Sequence, residues 1–83
     1  MTVKVRYFAA ARAAAGVESE PVVVPVGATV KILLKTVRAA HGDELARVLD
    51  RCSFLLDEVA VRDRERALHD GAVVDVLPPF AGG

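Results

Sequence analysis

Between residues 30 and 38 the apolar side chains fall at Val30, Leu33, Leu34 and Val37, with Lys31, Lys35 and Arg38 on the opposite side. That is the period of an amphipathic helix, and it is the longest helical pattern in the chain. Thr29 stands where an N-cap belongs, although Ile32 occupies the position a capping box would give to Glu or Gln. Gly42 closes the helix. One helix of about three turns, apolar on a single stripe, needs a sheet to cover it. An α+β roll follows, provided that the flanking sequence supplies strands.

It does. Thr2 to Phe8 alternates: Val3, Val5 and Tyr7 share one face, Lys4, Arg6 and Phe8 the other. Ala9 to Ala15 is alanine-rich and reads as a short helix closed by Gly16. Glu20 to Val24 reads as a second strand, constrained by Pro21. After the long helix, Asp43 is placed to cap a short helix through Asp50, with Leu45, Val48 and Leu49 inward. Cys52 to Leu56 is a third strand, Asp57-Glu58 a tight turn and Val59 to Val61 a fourth strand. Arg62 to Arg66 alternates in charge and reads as a solvated loop. Leu68 returns to the core, and His69-Asp70-Gly71 turns the chain into a last strand, Val73 to Leu77. In that strand Asp75 is expected to mark the solvent face, shared with Val73 and Leu77, while Val74 and Val76 point inward. The chain therefore reads as a single domain over 1–83, with four or five strands on one main helix. Both terminal strands are apolar enough to be central.

Composition narrows the function. Eleven basic residues balance eleven acidic ones, which argues against nucleic acid and against a membrane surface as partners. Residues 1–42 carry six bases and two acids, while 43–83 carry five arginines and nine acids. This imbalance suggests a basic patch near the first strand. The single cysteine, Cys52, excludes an internal disulfide and fits a reducing cytoplasm. It opens an apolar strand and is expected in the core rather than in chemistry. His41 and His69 lie far apart with no ligand spacing around them, so no metal site is expected, and both read as exposed helix-end or turn residues. No stretch is long or apolar enough to span a bilayer, and strand-like sequence stands where a signal peptide would be.

Chemistry is concentrated in the final residues. Pro78 and Pro79 have no N–H to donate, so they end ladder pairing and stiffen the exit as a spacer. Phe80, Ala81, Gly82 and Gly83 follow. Two glycines lack Cβ atoms, so such a backbone can enter a narrow channel and bring its carboxylate to another protein's reactive centre. Residues 78–83 are thus expected to protrude as a tail.

The chain resembles the ubiquitin-like β-grasp sulfur carriers, specifically the MoaD-type small subunits of molybdopterin synthase. The resemblance is carried by Val5-Arg6-Tyr7-Phe8-Ala9-Ala10-Ala11-Arg12, Gly16, Gly27-Ala28-Thr29-Val30, Val59-Ala60-Val61 and Leu68-His69-Asp70-Gly71. Its most specific part is Leu77-Pro78-Pro79-Phe80-Ala81-Gly82-Gly83. The family often has Glu at the position of Ala13 and Asn at that of Arg62.

The resemblance implies a β-grasp roll with a mixed sheet, and a cycle. A ubiquitin-activating-enzyme-like adenylyltransferase uses ATP to adenylate the Gly83 carboxylate. A sulfur donor protein converts it to a thiocarboxylate, and the large synthase subunit receives the tail and passes the sulfur to a pterin precursor. The carrier would bind no permanent cofactor, would not be an enzyme alone and would work as a hetero-oligomer. The resemblance makes the first and last strands parallel neighbours, so Phe8 and Leu77 would sit side by side on the outer face. With Arg12, Pro78, Pro79, Phe80 and Ala81 they form the expected partner surface, and Gly82 and Gly83 carry the chemistry. Two alternatives share this tail chemistry: a carrier serving thiazole synthesis and a ubiquitin-like protein modifier. An interaction module with an inert tail is a third. A β-grasp ferredoxin is excluded, because one cysteine cannot hold a [2Fe–2S] cluster.

Overall fold

The computed structural model describes residues 1–79. Eight elements follow in order: β1 (Thr2–Tyr7), α1 (Ala9–Ala15), β2 (Ser19–Val23), α2 (Val30–His41), α3 (Asp43–Leu49), β3 (Ser53–Leu56), β4 (Val59–Ala60) and β5 (Val73–Leu77). The five strands form one sheet in the order β2-β1-β5-β3-β4. β1 runs parallel to β5, with Tyr7 opposite Val76, and every other pairing is antiparallel. Both terminal strands are internal, as their apolar sequences require. Pro21 sits in the edge strand β2, where a missing donor is tolerated.

The core lies between one sheet face and the helices. Val3, Val5, Tyr7, Phe54, Leu56, Val74 and Val76 meet Ala11, Val30, Leu33, Leu34, Val37, Leu45 and Leu49, and Leu68 joins them from the loop before β5. These strand residues are every second one, so the other sheet face has no helix against it. Cys52 is buried in this core, and its Sγ donates to the Val48 carbonyl at 3.1 Å.

The ends of α2 show how side chain and loop share the capping. Thr29 Oγ1 accepts from Ile32 N. The Arg62–Arg66 loop supplies two more acceptors: Arg66 O takes Val30 N at 3.1 Å and Arg64 O takes Lys31 N at 2.9 Å. Its side chains are exposed, as expected, but its backbone is a cap for the main helix. Gly42, at φ 91°, ends α2 and also serves as N-cap of α3, a role the sequence reading gave to Asp43. The β3–β4 turn places Asp57 and Glu58 at positive φ, 47° and 69°. Such backbone is disfavoured for side-chain-bearing residues. Here it is tied down from β5: Asp57 N donates to Val73 O at 2.8 Å and Asp57 Oδ1 accepts from Val73 N at 3.0 Å.

Two sequence expectations need correction. Asp75 lies on the outer face but is not solvated. In a central strand its neighbours cover it, and its side chain is only 7% exposed. His41 is not an exposed helix end. Its ring is largely buried, edge-on to Tyr7 with centroids 5.8 Å apart, and it bonds the Glu20 carboxylate.

Candidate functional site

β5 is the central strand, and the chain leaves it at Leu77 into Pro78, half-buried, and Pro79, exposed. Neither proline can pair, so the ladder stops there for a covalent reason. Phe80, Ala81, Gly82 and Gly83, the most specific part of the sequence expectation, lie outside the described residues.

Beside that exit β1 gives way to α1. Phe8 keeps extended backbone (φ −121°, ψ 151°) at the N-cap of α1, then Ala9 turns through φ 49°. The Phe8 backbone is bonded on both sides. Its N–H donates to Val76 O at 3.3 Å, and its carbonyl accepts from Ala11 N at 3.0 Å and Arg12 N at 3.3 Å. The N–H bond continues the β1–β5 register by one residue, which sets Phe8 beside Leu77 on the outer face. Phe8 is 41% exposed. The Arg6 guanidinium carbon lies 5.9 Å from its ring centroid, within cation–π range.

Phe8 and Arg12 line one depression of about 430 Å³ with Lys4, Arg6, Tyr7, Ala9, Glu18 and Ser19. Arg12 reaches Glu18 at 3.7 Å, and both side chains are well exposed, so this pair adds little stability. The structure therefore groups Phe8, Arg12, Leu77, Pro78 and Pro79 at the C-terminal ends of β1 and β5.

Sequence reasoning missed the ion pair at the foot of this surface. Arg6 Nε and Nη2 donate to Asp75 Oδ1 at 2.5 Å and Oδ2 at 2.8 Å. The hydrogen bond and charge of Asp75 hold the Arg6 guanidinium above its ordinary value. The signal was present: an acid among four apolar residues of a central strand needs a buried partner, and Arg6 was the cation on the facing strand. A second missed network is Tyr7–Glu20–His41. The Tyr7 hydroxyl donates to Glu20 Oε2 at 2.6 Å, and burial, then the Glu20 hydrogen bond, push the phenol's pKa up. Away from the exit, His69 Nε2 bonds Asp57 Oδ2 at 2.5 Å. That bond raises the imidazole and lowers the carboxyl. Burial raises the Cys52 thiol, which disfavours the reactive thiolate. Among the described residues no cluster of three or more His, Cys, Asp or Glu could hold a metal ion. No helix there is long and apolar enough to cross a membrane.

A mixed five-stranded sheet grasping one main helix, with parallel terminal strands at its centre, is the β-grasp fold of ubiquitin-like proteins. The profile of the ThiS family matches residues 5–83, and the chain belongs to that family. It is 39% identical over 84 residues to the molybdopterin synthase sulfur carrier subunit of Chlamydomonas reinhardtii, with the whole of both chains covered. Its fold matches the crystal structure of SAMP1 from Haloferax volcanii with a TM-score of 0.89 and 26% identity over the full length of both chains. It also matches a chain in the complex of subunits 1 and 2 of molybdopterin-converting factor from Helicobacter pylori 26695, with a TM-score of 0.73 and 25% identity, again over both full lengths.

Proposed function

We propose that this chain is a sulfur carrier, the small subunit of a molybdopterin synthase. The observation that carries the reading is the end-to-end 39% identity with a molybdopterin synthase sulfur carrier subunit. Chemistry explains why such a carrier needs little of its own machinery. A carboxylate is a poor electrophile, so in the adenylyltransferase the Gly83 carboxylate attacks the α-phosphate of ATP, releasing pyrophosphate and forming an acyl-adenylate. The acyl carbon then has a good leaving group, and sulfur from a donor protein displaces AMP to leave a thiocarboxylate. Gly82 and Gly83, without side chains, let that group enter the large subunit, where its sulfur passes to a pterin precursor. Phe8, Arg12 and Leu77, with Pro78, Pro79, Phe80 and Ala81, make the contact surface and set the reach. The large-subunit partner is supported by the likeness to a chain of the two-subunit converting-factor complex. The carrier alone has no enzymatic activity, holds no permanent cofactor and works in the cytoplasm.

The test is single-turnover sulfur transfer with tails one residue shorter or longer. Deleting Gly83, or adding one residue after it, should abolish transfer and leave the melting temperature unchanged. A shortened tail that still transfers sulfur would refute the reading. SAMP1 is a small archaeal modifier protein, and that likeness favours a second reading, a protein modifier joined through Gly83 to target lysines. Covalent conjugates that survive denaturing electrophoresis of a lysate would support it.

A further inference from the structure

On the sheet face without helices, one row reads Leu55, Asp75, Arg6, Ser19 across four strands. At its centre the two members of the ion pair are unequally covered. The Asp75 side chain is 7% exposed, and each of its oxygens is taken by Arg6. The Arg6 side chain is 39% exposed. Its hydrogen bonds among the described residues use Nε and Nη2, so Nη1 makes none there. The acid is sealed beneath and the cation shows. Leu55, Val73 and Leu77, all half-buried, and the more exposed Phe8 ring surround it. Lys4 and Arg12 line the same depression as Arg6. The nearby acids are Glu18, which pairs with Arg12, and Asp57 and Glu58, which line a second depression with Arg6 and Val73; the Asp57 carboxylate is held by His69 and Val73 N.

A buried ion pair is a weak source of stability, since desolvation offsets its attraction. A guanidinium edge held in fixed orientation inside an apolar ring is, by contrast, a strong recognition element. It suits planar, charge-assisted bonding to a carboxylate, and the ring excludes water around it. We propose that this face reads its partner through a carboxylate side chain of that partner, which docks on the Nη1 edge of Arg6 within the ring of Phe8, Leu55, Val73 and Leu77. The burial asymmetry sets the sign: a partner cation would find the Asp75 oxygens already occupied. The inference rests on the reading above, in which the partner is the large synthase subunit.

The experiment is a titration of the full chain with the purified large subunit of its own organism's synthase, at low and high salt. The neutral pair Arg6→Gln/Asp75→Asn keeps a polar pair able to hydrogen-bond, with a shorter reach, and removes both charges. It should bind at least about tenfold more weakly than wild type at low salt, with a flatter salt dependence. Asp75→Asn alone removes the counter-charge and one of the two acceptors that fix the guanidinium, so it frees the Arg6 edge and should bind more weakly than wild type while keeping a salt dependence. A folded neutral pair that binds within about twofold of wild type, with the same salt slope, overturns the inference and leaves the sulfur-carrier reading standing. Wild type that does not bind the large subunit at all overturns both. If the neutral pair does not fold, Arg6→Lys decides, since it keeps the charge and loses the planar edge: binding weakened about tenfold supports the proposal, and binding equal to wild type overturns it.

Discussion

Replacing Phe8 with alanine should separate binding from folding. The residue as a whole is 41% exposed, so roughly three-fifths of it is covered. Full burial of a phenylalanine stabilises by about 1.5–3 kcal/mol, which leaves about 1–2 kcal/mol for Phe8. The contact with Arg6 at 5.9 Å adds about 0.5 kcal/mol at so exposed a site. The backbone bonds of Phe8 to Val76, Ala11 and Arg12 need no side chain and survive. Folding should therefore lose about 1.5–2.5 kcal/mol, against about 3–5 kcal/mol for a phenylalanine truncated within a core. A central aromatic anchor should cost the complex about 2 kcal/mol or more, roughly thirtyfold in Kd. Thermal and urea unfolding measure the first quantity, and calorimetric titration with the large subunit the second. Unchanged affinity in the folded variant would remove Phe8 from the interface. A stability loss above about 3 kcal/mol would show that the ring is core.

Tyr7→Phe removes the 2.6 Å bond to Glu20 and should cost about 1–2 kcal/mol in denaturant unfolding, because Glu20 keeps its bond to His41; an unchanged midpoint would make that bond energetically idle. His69→Gln tests the exposed pair with Asp57. The raised imidazole contributes stability that is complete below its ordinary value and fades as pH rises through the folded one. The lowered carboxyl contributes stability that is complete above its ordinary range and fades as pH falls through its depressed value. The gap in Tm between wild type and H69Q should thus be widest near pH ~5, between the two ordinary values, and narrow as pH rises through the raised imidazole value, and a gap independent of pH contradicts the pairing. Cys52→Ala should leave sulfur loading at Gly83 intact, because the thiol is buried and its pKa raised; loss of loading in a folded variant would make Cys52 a relay.

Periodicity made much of this fold legible. The stripe Val30, Leu33, Leu34, Val37 became the buried face of α2, and the alternation Val3, Val5, Tyr7 became the core face of β1. Those patterns report which way a side chain points, and nothing about what covers the other side. Asp75 is the instructive case: its face was readable, yet its burial depended on β1 and β3 lying on either side, a tertiary fact. His41 and Glu20 are 21 residues apart in sequence, so their bond left no local trace. The Arg62–Arg66 run looked solvated because its side chains are. Its work as a helix cap is done by backbone carbonyls, which sequence composition does not encode. The surface around the β5 exit was legible by a different route. Alternation put Phe8 outward, but only the β-grasp resemblance brought β1 and β5 side by side and set Phe8 next to Leu77.

Whether Gly83 carries sulfur is read from the intact mass of the chain. The full chain is incubated with ATP, the adenylyltransferase and a sulfide source, then weighed whole and after proteolysis. A gain equal to the difference between one sulfur and one oxygen atom is expected, confined to the C-terminal peptide and absent without ATP. A mass that does not change, or a gain that maps to Cys52, would contradict sulfur carriage at Gly83.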